Sequence, residues 1–204
     1  MISPGTPAPN SRRGRRGAVG RVLITLLTAL GLIIGSVAIA PSASAATRAM
    51  NARNATFDAQ MIAYVNQARL ANGVPALREA SGLTIMSAWW SQQMTDGATG
   101  GNLQHNPNAW TQVTTYGASN RRAWGENVGT WTGNVSAKAL FDAYMASPGH
   151  RANILSTKYR FIGMGTVGHF NTMEFTDQVE ARTIIQATKA PAKSAAKATA
   201  KAAA

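Results

Sequence analysis

The sequence predicts an α+β domain with helices covering a sheet. Two observations carry this: helical apolar stripes fill the first half, and short apolar or β-branched runs fill the second. Between Asn54 and Asn72, the residues Phe57, Met61, Tyr64, Val65 and Ala68 recur at helical spacing, with Asn54 placed to cap the start and Gly73 to end it. Val74 and Pro75 form an extended connection, because proline disfavours helix in the residue before it. A second helix is expected from residue 81 to 94, with Leu83, Met86, Trp90 and Met94 on one face and Gly97 as its stop. Residues 95–125 are rich in Gly, Asn and Thr without a sustained period, and read as a long loop of the kind that often carries function. Ser136 is placed to cap a third helix through Met145, on the stripe Ala137, Leu140, Phe141, Tyr144. Ser147 and Pro148 then have the form of a helix start, with His150 in its first turn. Past Leu155, the runs 161–167, 173–176 and 183–187 are separated by Gly, Asn and Asp and are expected to pair as antiparallel strands.

Charge is unevenly spread along the 204 residues, which carry 20 Lys and Arg against 8 Asp and Glu. Arg12, Arg13, Arg15, Arg16 and Arg21 precede an apolar run, and Lys189, Lys193, Lys197 and Lys201 punctuate an alanine tail. Residues 46–188 keep 11 bases against 8 acids, which removes most of the electrostatic case for a nucleic-acid partner.

Residues 1–45 read as a secretory signal. The five arginines lead into apolar or small residues from 22 to 40, Pro41 ends the run, and Ala43, Ser44 and Ala45 supply a small-residue exit with cleavage expected after Ala45. The run is also long enough to stay as an uncleaved anchor, since about 18 apolar residues cross a bilayer. Either outcome puts the domain of residues 46–188 outside the cytosol, secreted or held at the cell surface. Disulfides are chemically allowed there, yet this chain has none to form. Roughly 140 residues suffice to bury a core without them, and a monomer is expected. Residues 189–204 repeat Lys-x-x-x in alanine and are expected to be a disordered tail in electrostatic contact with an anionic envelope.

The common metalloprotease, nucleophile-elbow, phosphate-loop and paired-carboxylate signatures are absent. What stands out is Gly125-Glu126-Asn127-Val128 and the stretch from Ser147-Pro148-Gly149-His150 through Leu155. Asn66-x-x-Arg69, Gly73-Val-Pro-Ala-Leu77, Trp90 and His105 precede them, and Ile162-Gly-Met-Gly165 follows. This ordered set, with thirteen residues from His150 to Gly163, resembles the CAP superfamily, also called SCP-like, in its bacterial disulfide-free branch, over about residues 56–186. The resemblance implies a three-layer α-β-α sandwich with a central antiparallel sheet and an open cavity lined by two histidines and two acids. Carried onto this sequence, those positions are His105, Glu126, His150 and Ser147. Serine stands where the second acid belongs, and Tyr144 where tryptophan is usual. Asp142, two residues before Tyr144, should face another side of its helix.

Two imidazoles and one carboxylate are a sensible donor set for a divalent metal such as zinc, whose bound water would serve a metal-dependent hydrolase of peptide or envelope substrates. Against catalysis, no second acid is at hand as general base and no activated nucleophile is recognisable. The binding reading makes His105, Glu126, Ser147 and His150 the wall of a cavity for a lipid or cell-envelope component, lipid binding being implied by the resemblance. In the plainest reading, Glu126 and the two histidines hydrogen-bond one another and fix the surrounding loops. His169 lies where a hairpin loop is expected and reads as exposed. Adjacent Trp89 and Trp90 cannot share one helix face, so at least one packs inward. Trp110, Trp124 and Trp131 either anchor loops or rim a groove as a carbohydrate platform would.

Overall fold

A computed structural model describes residues 42–183. Residues 1–41 of the expected signal segment and the expected tail of residues 189–204 lie outside the described residues. In chain order the elements are α1 (Ala43–Ala52), α2 (Ala55–Ala71), β1 (Arg78–Glu79), α3 (Ser81–Thr95), α4 (Ala109–Thr115), β2 (Trp124–Thr130), α5 (Ala137–Ala146), α6 (Pro148–Ile154), β3 (Phe161–Val167) and β4 (Phe170–Thr176), ending in a 3-10 turn at Ala181–Thr183.

The start and stop signals act as their chemistry requires. Asn54 accepts from Phe57 N and Ser136 from Ala139 N, each satisfying an amide that has no partner within its helix. Gly73 and Gly97 take positive φ after α2 and α3, where a side chain would be strained. Ser147 does occupy the position before α6 with Pro148 following, but its hydroxyl makes no capping bond. The expected cleavage point after Ala45 falls in the first turn of α1, which Ser42 caps and the Arg48–Asp96 pair ties to the end of α3.

β1, β3, β4 and β2 form one sheet in that order. β3 pairs antiparallel with β4 and β4 with β2, whereas the two-residue β1 joins β3 in parallel, so the sheet is mixed at one edge. Strand alternation sorts the side chains between two layers. Ile162, Met164, Met173 and Phe175 meet Met61 and Val65 of α2 and Leu140, Phe141 and Tyr144 of α5 in the larger core cluster. Val128 points the other way, to Trp90 and Met94 of α3. On that second face the glycines of β3 allow close approach: a Cβ on Gly163 would lie 2.1 Å from the backbone of Leu83, and one on Gly165 2.2 Å from that of Ala88. The helices therefore cover both faces of the sheet, giving an α-β-α sandwich.

Several expectations need correction. The segment 95–125 is not all loop, because α4 forms within it and β2 begins at Trp124. The strand ending at Thr176 begins at Phe170, three residues before the β-branched pattern suggested. Thr183 closes a 3-10 turn, so the strand placed at 183–187 does not start there, and residues 184–187 lie outside the described residues. Trp131 is buried and stacks on Phe57 at 5.8 Å, so it rims no groove. Asp142, as expected, points outward, paired with Lys138. His169 is exposed at the β3–β4 turn.

Candidate functional site

β2 is the free edge of the sheet opposite β1, and the residues singled out in the sequence gather along it. Glu126 sits in the middle of β2 with its side chain buried, on the face that α3 covers. His105, in the connection between α3 and α4, donates from Nδ1 to Glu126 Oε1 at 2.7 Å, and the backbone N–H of Asn106 donates to the same oxygen at 3.0 Å. One carboxylate oxygen thus fixes both the ring and the chain that carries it. Gln104, next to His105, is held by Trp90, whose Nε1 donates to its carbonyl at 2.8 Å.

His150 reaches the same edge from the opposite layer. Its backbone carbonyl accepts from Asn127 Nδ2 at 3.1 Å, and Asn153 of the same helix donates to Glu126 O at 3.2 Å and to Asn127 Oδ1 at 2.9 Å. These two asparagines clip α6 onto β2, and Gly125 leaves room for them, since a Cβ there would lie 3.0 Å from Asn153 Oδ1 and 2.5 Å from the Tyr159 hydroxyl. The His150 ring stands edge-on to buried Tyr144 at 5.0 Å, and its Nδ1 is buried without a partner. Ser147 is buried in the turn before α6, but its hydroxyl is unpartnered and bonds none of the other three residues.

The imidazoles are pushed in opposite directions. The Glu126 hydrogen bond raises the His105 pKa above its ordinary value, while burial lowers that of His150, with the charge of His105 adding to the effect.

The structure adds an acid that the motifs do not contain. Glu174 on β4 is directly opposite Glu126, and its side chain lies against that carboxyl on the same sheet face. It is completely buried, and its Oε2 accepts from Trp124 Nε1 at 2.6 Å. Glu126 Oε2 and Glu174 Oε1 are both buried and have no hydrogen-bond partner. Two like charges directly across a sheet repel, and a proton held on Glu174 removes the repulsion and satisfies both oxygens at once. Burial first, and the neighbouring Glu126 second, drive the Glu174 pKa well above the usual carboxylate value. The acid missing at Ser147 is therefore replaced in number by one on β4.

This arrangement bears on metal binding. Glu126 spends Oε1 on His105 and Asn106, and its other oxygen is buried, so the carboxylate orients an imidazole. Among the described residues no three His, Cys, Asp or Glu side chains are grouped to hold a metal ion. The zinc donor set of His105, Glu126 and His150 does not fit this geometry.

The model of the cysteine-rich secretory protein family, CAP, matches residues 62–178, more than half of the chain. The chain belongs to the CAP family. Its CAP domain is similar in fold to an extracellular SCP-domain protein of Bacillus anthracis, with a TM-score of 0.54 at 21% identity over 62% of this chain and 41% of that one. It is also similar to a cysteine-rich secretory protein of Staphylococcus aureus, with a TM-score of 0.50 at 17% identity over 60% and 39% of the two chains. An outer surface protein of Borrelia burgdorferi gives 0.48 at 11% identity over 57% and 89%. The match thus spans about two fifths of the first two relatives' length. No curated protein matches.

Proposed function

We propose that this CAP protein is exported and acts by binding a lipid or other cell-envelope component at the β2 edge, without chemical turnover. The observation that carries the reading is the way Glu126 is held. A general base needs a free lone pair aimed at a substrate proton. Glu126 Oε1 is instead spent on His105 and Asn106, its Oε2 is buried beside Glu174 and away from the surface, and no nucleophile is hydrogen-bonded to either imidazole among the described residues. Half-exposed His105 and partly buried His150 remain as polar groups at the wall of a binding surface. The arginine-led apolar segment supports export, and the lysine-rich tail supports retention on anionic polymers.

The test uses the full chain. Binding to envelope fractions and to lipid vesicles, with metal analysis of the same preparation, is compared with turnover on peptide and envelope substrates. Saturable binding without turnover is the expected outcome. Hydrolysis that disappears in Glu126→Gln would overturn the reading in favour of a hydrolase. Deleting residues 189–204 should release the chain from envelope fractions at low salt, where tail electrostatics are strongest.

A further inference from the structure

A second surface lies behind Trp124, apart from the two histidines. A groove of about 570 Å³ is lined by Trp110, Trp124 and Tyr159 together with Arg122, Lys158 and Asp177. Trp110 is 56% exposed, unusually so for a large apolar side chain. It is nevertheless held in place. The Arg121 guanidinium lies 4.1 Å from its ring centre and is itself tied to Thr114 Oγ1 at 2.7 Å, to Ala118 O at 3.0 Å and to the Trp110 carbonyl. Trp124 meets Trp110 edge-on at 6.4 Å, and its own indole is fixed by the bond to Glu174. The Tyr159 hydroxyl donates to Trp124 O at 3.0 Å. These rings are ordered before any ligand arrives, which lowers the entropic cost of binding.

The charges select the ligand class. Asp177 Oδ1 accepts from the backbone amides of Arg122 and Ala123 at 2.9 and 3.0 Å, so this acid is bound into the loop. Arg122 and Lys158 form no ion pair with another described residue. An acyl chain laid here would desolvate both cations without compensation. A sugar ring instead offers a flat C–H face to the indoles, hydroxyls to the polar rim, and, where it is acidic, a carboxylate to Arg122 and Lys158. The volume falls within the ~300–1,000 Å³ of small-molecule clefts, room for a short oligosaccharide.

We infer that this groove binds a carboxylate-bearing saccharide, with Trp110 as the stacking platform and Arg122 and Lys158 as the anion-recognising groups. The inference rests on the envelope-binding reading and names the envelope chemistry recognised. The site binds without cleaving: Glu126 and Glu174 do not line the groove, and Asp177 is held by the loop amides.

The test is calorimetric titration of the full chain, with tryptophan fluorescence, using tetragalacturonic acid, its neutral methyl ester and phosphatidylglycerol vesicles as probes. Saturable binding of the acid is expected, at least tenfold tighter than of the ester. Trp110→Ala should cost tenfold or more at an unchanged melting temperature, and Trp110→Phe should keep most of the affinity. A double Arg122→Ala, Lys158→Ala variant should bind acid and ester alike. Absence of saturable tetragalacturonate binding, binding indifferent to Trp110→Ala, or Trp110-dependent binding of vesicles alone would each overturn the assignment. Envelope retention that persists in those cases leaves the broader reading standing. Saccharide binding without envelope retention defeats that reading and leaves the groove assignment intact.

Discussion

Replacing Glu174 by glutamine isolates the shared proton. A proton held on Glu174 can bridge to Glu126 Oε2, while the other Glu174 oxygen accepts from Trp124 Nε1 at 2.6 Å. Glutamine has the same shape and can keep both bonds, its carbonyl facing the indole and its amide donating to Glu126. What it loses is titration. A carboxyl whose folded pKa is raised above its ordinary 4.5 stabilises the fold fully below that value, and the contribution drains away as pH climbs toward the folded value. The drain runs at about 1.4 kcal/mol per pH unit for as long as the folded chain keeps the proton that the unfolded chain has lost. Denaturant unfolding of wild type and Glu174→Gln at a series of pH values should therefore give curves that agree near pH 5 and separate steadily above it, the variant being the more stable. The separation should level off where wild-type Glu174 finally ionises. Curves that stay parallel from pH 5 to pH 7 would show Glu174 titrating like an exposed acid and would refute the proton-sharing argument.

Histidine NMR titration should resolve His105 above and His150 below the ordinary imidazole value of about 6.5, and Glu126→Gln should abolish the upward displacement of His105 because its hydrogen bond to the carboxylate is the first cause. Gly163→Ala places a methyl 2.1 Å from the Leu83 backbone, so α3 must lift from β3; a loss of about 3 kcal/mol or more is expected in denaturant unfolding, and a change within 0.5 kcal/mol would contradict the close approach.

The layering was legible because it depends on local signals. The stripe in α2, the cap at Asn54 and the positive φ at Gly73 are all encoded within one segment. Arg69 shows where that legibility ends. It stands out in the sequence only as part of Asn66-x-x-Arg69. In the fold its buried guanidinium donates to the carbonyls of Pro75, Ile154, Ser156 and Tyr159, pinning the α6–β3 connection to α2 with no carboxylate involved. Three of these four acceptors lie 85–90 residues away, at the end of α6 and in the connection that follows it, and leave no periodic trace. The missed start of β4 has a related cause. Asn171 and Thr172 interrupt the apolar run, yet both are fully buried because they bond Tyr144 and Ser91 in the layers above and below.

The same distinction explains why the candidate site was only half readable. His105, Glu126 and His150 lie in short glycine- and proline-marked stretches whose order carries a family resemblance, and the fold does bring them to one sheet edge. Glu174 belongs to no such stretch. Its sole signal is an acid between Met173 and Phe175 in an apolar run, where a lone carboxyl is costly unless neutral or partnered. Its partner is set by strand register: the pairing of Glu126 with Glu174 follows from a hairpin that joins β3 to β4 and from β2 docking on the far side of β4. A one-residue slip in that register would send the two carboxyls to opposite faces. The apposition of the two acids is thus set by a long-range strand alignment, a property that motif spacing around the histidines does not encode.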